Sequence, residues 1–253
     1  MSRRIKFTGI MLLIMTFLAG CSTDARSKPI DPANGFWDKF FVNPLSQTLD
    51  WFANFFGNEY GISILIVTVI IRLIILPLTI KQFKSSRKMQ EIQPELKKLQ
   101  KKYKDDTQEQ QQETMKLFQQ HGVNPMAGCF PVLVQMPILI GLYHAIMRNP
   151  EISSHSFLWL QLGEKDPFVL PILAAATTFF QQKMMSTYMP NQQMQMMQTM
   201  MFIFPILIFV MAMSFPSALP LYWIYSNLFT IVQNYFLYGR SQTSQASGGS
   251  SSK

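Results

Sequence analysis

Arg72 sits in the middle of the first long apolar run of the chain, Gly61 to Ile80, which reads GISILIVTVIIRLIILPLTI. A run of about 20 residues is enough to span a bilayer core of roughly 30 Å. A guanidinium at that depth costs a few kcal/mol, and it cannot shed its proton to escape that cost. A carboxylate on a neighbouring helix would be the usual rescue. The sequence offers none: every Asp and Glu lies at or before Asp166, and none falls inside an apolar run. Arg72 must therefore face water, polar side chains or an anion that arrives from outside.

Other polar residues fall at helical spacing inside apolar runs. Thr68, Arg72 and Thr79 share one face of the first run, and Trp223, Asn227, Thr230 and Asn234 form a stripe on the last. Thr177, Thr178, Gln181 and Gln182 mark a third run, and Gln135 stands in a second. Hydrogen bonding between helices accounts for any one of them. Four polar-sided helices around an uncompensated arginine are accounted for together by a hydrated internal groove. Enzymatic readings find less support. An intramembrane serine protease would use Ser226 with His144, but neither sits in a nucleophile motif, and no metal spacing, P-loop or dinucleotide fingerprint is present. No cofactor is expected. Proton- and sodium-coupled carriers rely on Asp, Glu or His inside the membrane, which the runs lack.

The elements that must position these residues follow from composition. The chain has 253 residues, 48% hydrophobic and 14% charged, with 21 Phe and 18 Met. Soluble domains carry about a quarter charged residues, so this is expected to be an all-α polytopic membrane protein. Five spans are expected: 61–80, 131–147, 168–188, 200–215 and 219–238. The second and fourth are short and contain Pro137 and Pro205, which suits local bilayer thinning and a wet path.

Residues 1–20 are expected to be a cleaved signal peptide. Arg3, Arg4 and Lys6 precede an apolar stretch that ends in Leu18-Ala19-Gly20-Cys21. Small residues before a cysteine resemble a bacterial lipobox, which implies lipid (palmitate) on Cys21. Cys129 then has no disulfide partner and reads as a small buried hydrophobe. The segment 21–60 is a polar linker followed by an amphipathic helix, Phe36 to Phe56, suited to the headgroup layer or to packing on protein.

The loops report orientation. Lys81 to Phe130 holds ten Lys/Arg, whereas the loop 148–167 holds Arg148 at its start and Lys165. The positive-inside rule puts 81–130, the Met-rich loop 189–199 and the tail 239–253 in the cytoplasm, and the N-terminus outside. The segment 81–130 is itself a helical hairpin. Its first helix has a seam of Met89, Ile92, Leu96, Leu99 and Tyr103, and its second runs over Thr107–Gln120 to a stop at His121-Gly122. The Met-rich loop suits either varied apolar partners or plain gap-filling at helix ends. The tail SQTSQASGGSSSK reads as disordered.

The stretch NPMAGCFPVLVQMPILIGLY (Asn124 to Tyr143), the five-run pattern, the hairpin after the first run and LPLYW (Leu219 to Trp223) together resemble the YidC/Oxa/Alb membrane protein insertase family. The lipoprotein-like start is similar to its Gram-positive, YidC-type branch. The resemblance covers Phe36 to Arg240 and implies a groove open to cytoplasm and lipid in the bacterial cell membrane. Arg72 matches the family's groove arginine, with Thr68, Gln135, Gln181, Trp223 and Asn227 as further lining. The implied activity is insertion and chaperoning of membrane proteins, not enzymatic catalysis. The implied partners are nascent membrane proteins with acidic or short N-terminal segments, the ribosome, membrane lipids, and the Sec translocon with the signal recognition pathway. Sequence-specific nucleic acid is not among them. The other reading, a small-molecule transporter or channel with Arg72 as an anion site, stays open at this point.

Overall fold

The computed structural model describes residues 29–33, 35–123, 130–188 and 194–239. The signal segment 1–20, Cys21, residues 124–129 including Cys129, the first part of the Met-rich loop (189–193) and the tail from 240 lie outside them. A π-helical turn, Asp38–Val42, leads into α1 (Asn43–Phe55). Next come α2 (Tyr60–Glu91), α3 (Gln93–Lys102), α4 (Thr107–Gln120), α5 (Phe130–Arg148) and the short α6 (Pro150–Ser154). Strands β1 (Ser156–Phe157) and β2 (Leu160–Gln161) follow, then α7 (Val169–Tyr188), α8 (Met194–Ser214) and α9 (Ala218–Asn234). A second π-helical turn, Tyr235–Gly239, ends the described chain.

Among the described residues α2 is the one helix both long and apolar enough to cross a membrane by length and composition, and Phe202–Ser214 forms a shorter apolar stretch. Two of the other helices are diluted or short. α7 carries Thr177, Thr178, Gln181, Gln182 and Lys183, and α9 has 17 residues. Pro77, Pro137 and Pro205 lie inside α2, α5 and α8. Each removes an i→i−4 bond.

Two compact units result. One comprises the residues up to Val67, Gln135–Asp166 and Phe215–Leu219. Within it α1 buries Ser46, Leu49 and Ala53, a stripe at steps of three and four, and leaves Trp51 and Phe55 exposed on the other side. Left-handed Gly57 ends the helix. Ser63 Oγ then donates to the Leu49 carbonyl at 2.6 Å, and the Tyr60 hydroxyl donates to Asp50 at 2.9 Å. These bonds tie α1 to the first turns of α2.

The same unit holds a polar latch. Arg148, at the end of α5, makes a two-pronged ion pair with Asp38 at 2.5 and 2.7 Å and donates to the Pro29 carbonyl at 2.6 Å. Both side chains are nearly buried, 8% and 10% exposed. Next to it, the Asn149 oxygen caps α6 by accepting from the Glu151 amide at 2.9 Å. Its amide donates to Ser46 at 2.9 Å and Asp50 at 2.8 Å. One buried residue thus starts a helix and holds another. The hydrogen bond from Arg148 outweighs burial and keeps the Asp38 carboxyl below its ordinary pKa.

Gly61 lies where a Cβ would overlap the Phe157 ring of β1. On helix propensity alone, Gly61→Ala would gain up to about 1 kcal/mol. Overpacking costs about 1–3 kcal/mol, and it wins here because β pairing holds Phe157 in place. Gly61→Ala is therefore expected to lower the thermal unfolding midpoint in detergent. A raised midpoint would mean that the strand yields freely.

The other unit comprises Thr68–Val134, Pro167–Ser214 and the residues from Pro220. Within it α7 and α8 pack together, with the Phe179 and Phe202 ring centroids 6.1 Å apart. α3 and α4 form a hairpin around buried Ile92, Leu96, Leu117 and Val123, while Met115 is exposed. Asp106 starts α4 by accepting from the amides of Gln108 and Glu109, both at 2.9 Å. Gly122, at φ +60°, ends it. This unit carries Arg72.

Candidate substrate-binding site

Arg72 is half-buried on α2, with Thr68 one turn before it and Thr79 two turns after. Its guanidinium donates to Ser226 Oγ on α9, and Ser226 is buried. A guanidinium has five N–H donors. Among the described residues no carboxylate pairs with it and no other hydrogen bond is made. No Arg72 nitrogen is among the buried atoms without a partner, so the remaining donors are open to water or to an incoming acceptor. A carboxylate suits it because its two oxygens match the fork of the guanidinium.

The helix that presents Ser226 is held by a polar seam. Asn227 Nδ2 donates to Thr178 Oγ1 at 2.8 Å and to Thr177 Oγ1 at 3.1 Å, joining α9 to α7. The two threonine hydroxyls pass their own protons to the Leu173 and Ala174 carbonyls, at 2.8 and 2.7 Å. Thr230 Oγ1 donates to the Ser226 carbonyl at 2.8 Å, and Asn234 reaches Met185 Sδ at 3.9 Å. Buried Gln233 has an Nε2 without a partner among the described residues. Interhelical bonding therefore absorbs Asn227, Thr177 and Thr178, and takes up one nitrogen of the guanidinium.

The expected lining residues fare differently. Arg72, Thr68, Gln181, Trp223 and Asn227 all belong to this unit, and Gln135 belongs to the first one. Thr68 is 2% exposed. Gln181 and Trp223 are half-buried. Ser226 enters as the partner of Arg72, a role its spacing concealed because it lies one residue off the Trp223–Asn227 stripe. Its oxygen faces a cation, not a general base. The latch of Arg148, Asp38 and Asn149 was also missed. The only signal for it was an arginine beside an Asn-Pro helix start, with an aspartate in a distant amphipathic segment.

The site thus sets an arginine of a long apolar helix against a serine of a polar-seamed one. The chain belongs to the YidC/Oxa/Alb insertase family: the family described as 60Kd inner membrane protein matches residues 51–244. It is 52% identical to the membrane protein insertase MisCA of Bacillus subtilis over 244 residues, 94% of this chain and 93% of that one. It is 48% identical to the membrane protein insertase YidC 2 of Bacillus anthracis over 259 residues, 99% and 100% of the two chains. A crystal structure of an active YidC insertase with its first transmembrane domain resolved matches with a TM-score of 0.63 at 29% identity. That match covers 80% of this chain and 47% of the crystallised one. The relatives are insertases of membrane proteins, and the family is not an enzyme class.

Proposed function

We propose that this protein captures nascent membrane proteins through Arg72 in a hydrophilic groove open to cytoplasm and lipid, and releases them into the bilayer. One observation carries the reading: a half-buried guanidinium whose sole bond among the described residues goes to a serine hydroxyl. The capturing charge attracts acidic residues in a short N-terminal segment, and in a partly dry pocket it does so more strongly than in bulk water. The apolar part of the guest then slides along lipid. The membrane potential, worth about 2.3 kcal/mol per charge per 100 mV, pulls acidic segments outward.

In this account α2 is the first of five spans, followed by α5, α7, α8 and α9, with the N-terminus outside and the α3–α4 hairpin in the cytoplasm. The charge distribution supports that orientation. Cys21 is lipidated on the outer side. Mass spectrometry of the mature N-terminus is expected to find a lipid-modified cysteine, and an unmodified Cys21 would remove the anchor. The hairpin and the Met-rich loop meet the ribosome or nascent chain, alone or beside the Sec channel and the signal recognition pathway.

The test is reconstitution of the purified chain alone in liposomes. Translation of a single-span protein with an acidic N-terminus should then give a protease-protected product that empty liposomes do not give. Small-anion flux without insertion would support the transporter reading instead.

A further inference from the structure

We propose that the β1–β2 hairpin is a second membrane anchor, which dips its tip, Leu158 and Trp159, into the lipid headgroup layer at the outer end of the first span. The inference rests on the reading of α2 as a transmembrane helix with Tyr60 at its outer end.

The register pairs Phe157 with Leu160, which leaves Leu158 and Trp159 as a two-residue turn. The first position of such a turn takes positive φ, where Gly, Asn or Asp is favoured. Here it is Leu158, at φ 57°. A leucine is disfavoured in that conformation, and its side chain is 72% exposed, with Trp159 beside it at 67%. Strained backbone and exposed apolar surface are both unfavourable for a loop in water. The exposed surface is accounted for if the side chains enter lipid.

The tip is also held at a defined depth. Leu160 and Leu162 are buried beneath it. The Leu162 amide donates to the His155 carbonyl at 3.1 Å, and Ser217 donates through both its amide and its hydroxyl to the Glu164 carbonyl. Phe157 packs on Gly61, and the His155 ring lies 4.8 Å from that of Tyr60. Tyr60 and Gly61 are the first two residues of α2. The tip therefore adjoins the point where the apolar run begins, the level at which Trp is enriched in membrane proteins. No charged residue lies between Ser156 and Gly163 to hold the tip in water. α1, with exposed Trp51 and Phe55, is bonded to the same end of α2. The hairpin extends that interfacial belt.

Nitroxide labelling of a Leu158→Cys, Cys129→Ser chain in vesicles of phosphatidylethanolamine and phosphatidylglycerol tests this, with the Cys129→Ser chain as background. The label should collide more often with bilayer-dissolved oxygen than with a water-soluble nickel chelate, at a depth of about 5–10 Å. Trp159→Cys should give the same pattern, which guards against a turn disturbed by the first substitution. Frequent collision with nickel at both positions would overturn the anchor in favour of a solvent loop. Shielding from both reagents would overturn it in favour of a covering protein, such as a second copy. A label at Ile74, mid-span and 70% exposed, must read deep in the bilayer. Nickel access there would refute the spanning helix itself, and the anchor with it, whereas a deep Ile74 beside a wet Leu158 refutes the anchor alone.

Discussion

Arg72→Ala is expected to reduce insertion of substrates with acidic N-terminal segments by about 10- to 100-fold, the equivalent of one charge-assisted hydrogen bond of about 1.5–3 kcal/mol. Substrates with neutral N-termini should lose far less. Arg72→Lys should retain most activity, since an ammonium supplies the charge though not the bidentate fork. The measure is the protected fraction in the liposome assay, with acidic and neutralised versions of one substrate compared. The fold should survive the alanine change. Removing a half-buried, uncompensated cation relieves desolvation, and what remains is a Ser226 hydroxyl that can turn to other acceptors. An unfolding midpoint near that of the wild type would therefore separate loss of capture from loss of structure. Equal insertion of the acidic substrate by wild type and Arg72→Ala would refute capture by charge.

The second large effect is on stability. Arg148→Ala leaves the Asp38 carboxylate nearly buried with its ion-pair partner gone, and breaking such a pair from one side costs about 3–5 kcal/mol. We expect a drop of several degrees in the detergent unfolding midpoint, together with faster proteolysis around α1. Asp38→Asn should cost less, because the amide oxygen still accepts from the guanidinium. A double replacement by apolar residues, Asp38→Leu with Arg148→Met, should recover much of the loss. Its pH dependence follows from the depressed carboxyl. The contribution is complete above the ordinary value of 3.8 and disappears only as pH falls below it, through the lowered native pKa. Loss of the latch between pH 5 and 7 would contradict this assignment.

Both sites show what a sequence can and cannot specify. The stop at Gly122 after α4 was legible because a left-handed glycine is local chemistry. Arg72 was legible because charge in an apolar run needs no partner to be noticed. The polar stripe on α9 gave the face but not the pairing, since neighbouring helical residues lie about 100° apart. Asn227 meets Thr177 and Thr178, while Ser226 meets Arg72, and helix rotation decides between them. The latch joins residues more than a hundred positions apart, which periodicity cannot reveal. The hairpin has two residues per strand, too few for an alternation pattern, and packing on Gly61 fixes it.

The central claim is that the guest's acidic end lies beside Arg72, and a photocrosslinker tests it most directly. Thr68 is too buried to carry one, at 2% exposure. Thr79 is half-buried on the same helix face, and its hydroxyl bonds only its own helix, at the Ile75 carbonyl. From that position a ribosome-stalled single-span protein with an acidic N-terminus should be crosslinked, and the crosslink should weaken when the acidic residues are neutralised or when Arg72 becomes alanine. Strong crosslinks from exposed Ile74, with none from Thr79, would contradict the account and move the path of the guest to the outer face of α2.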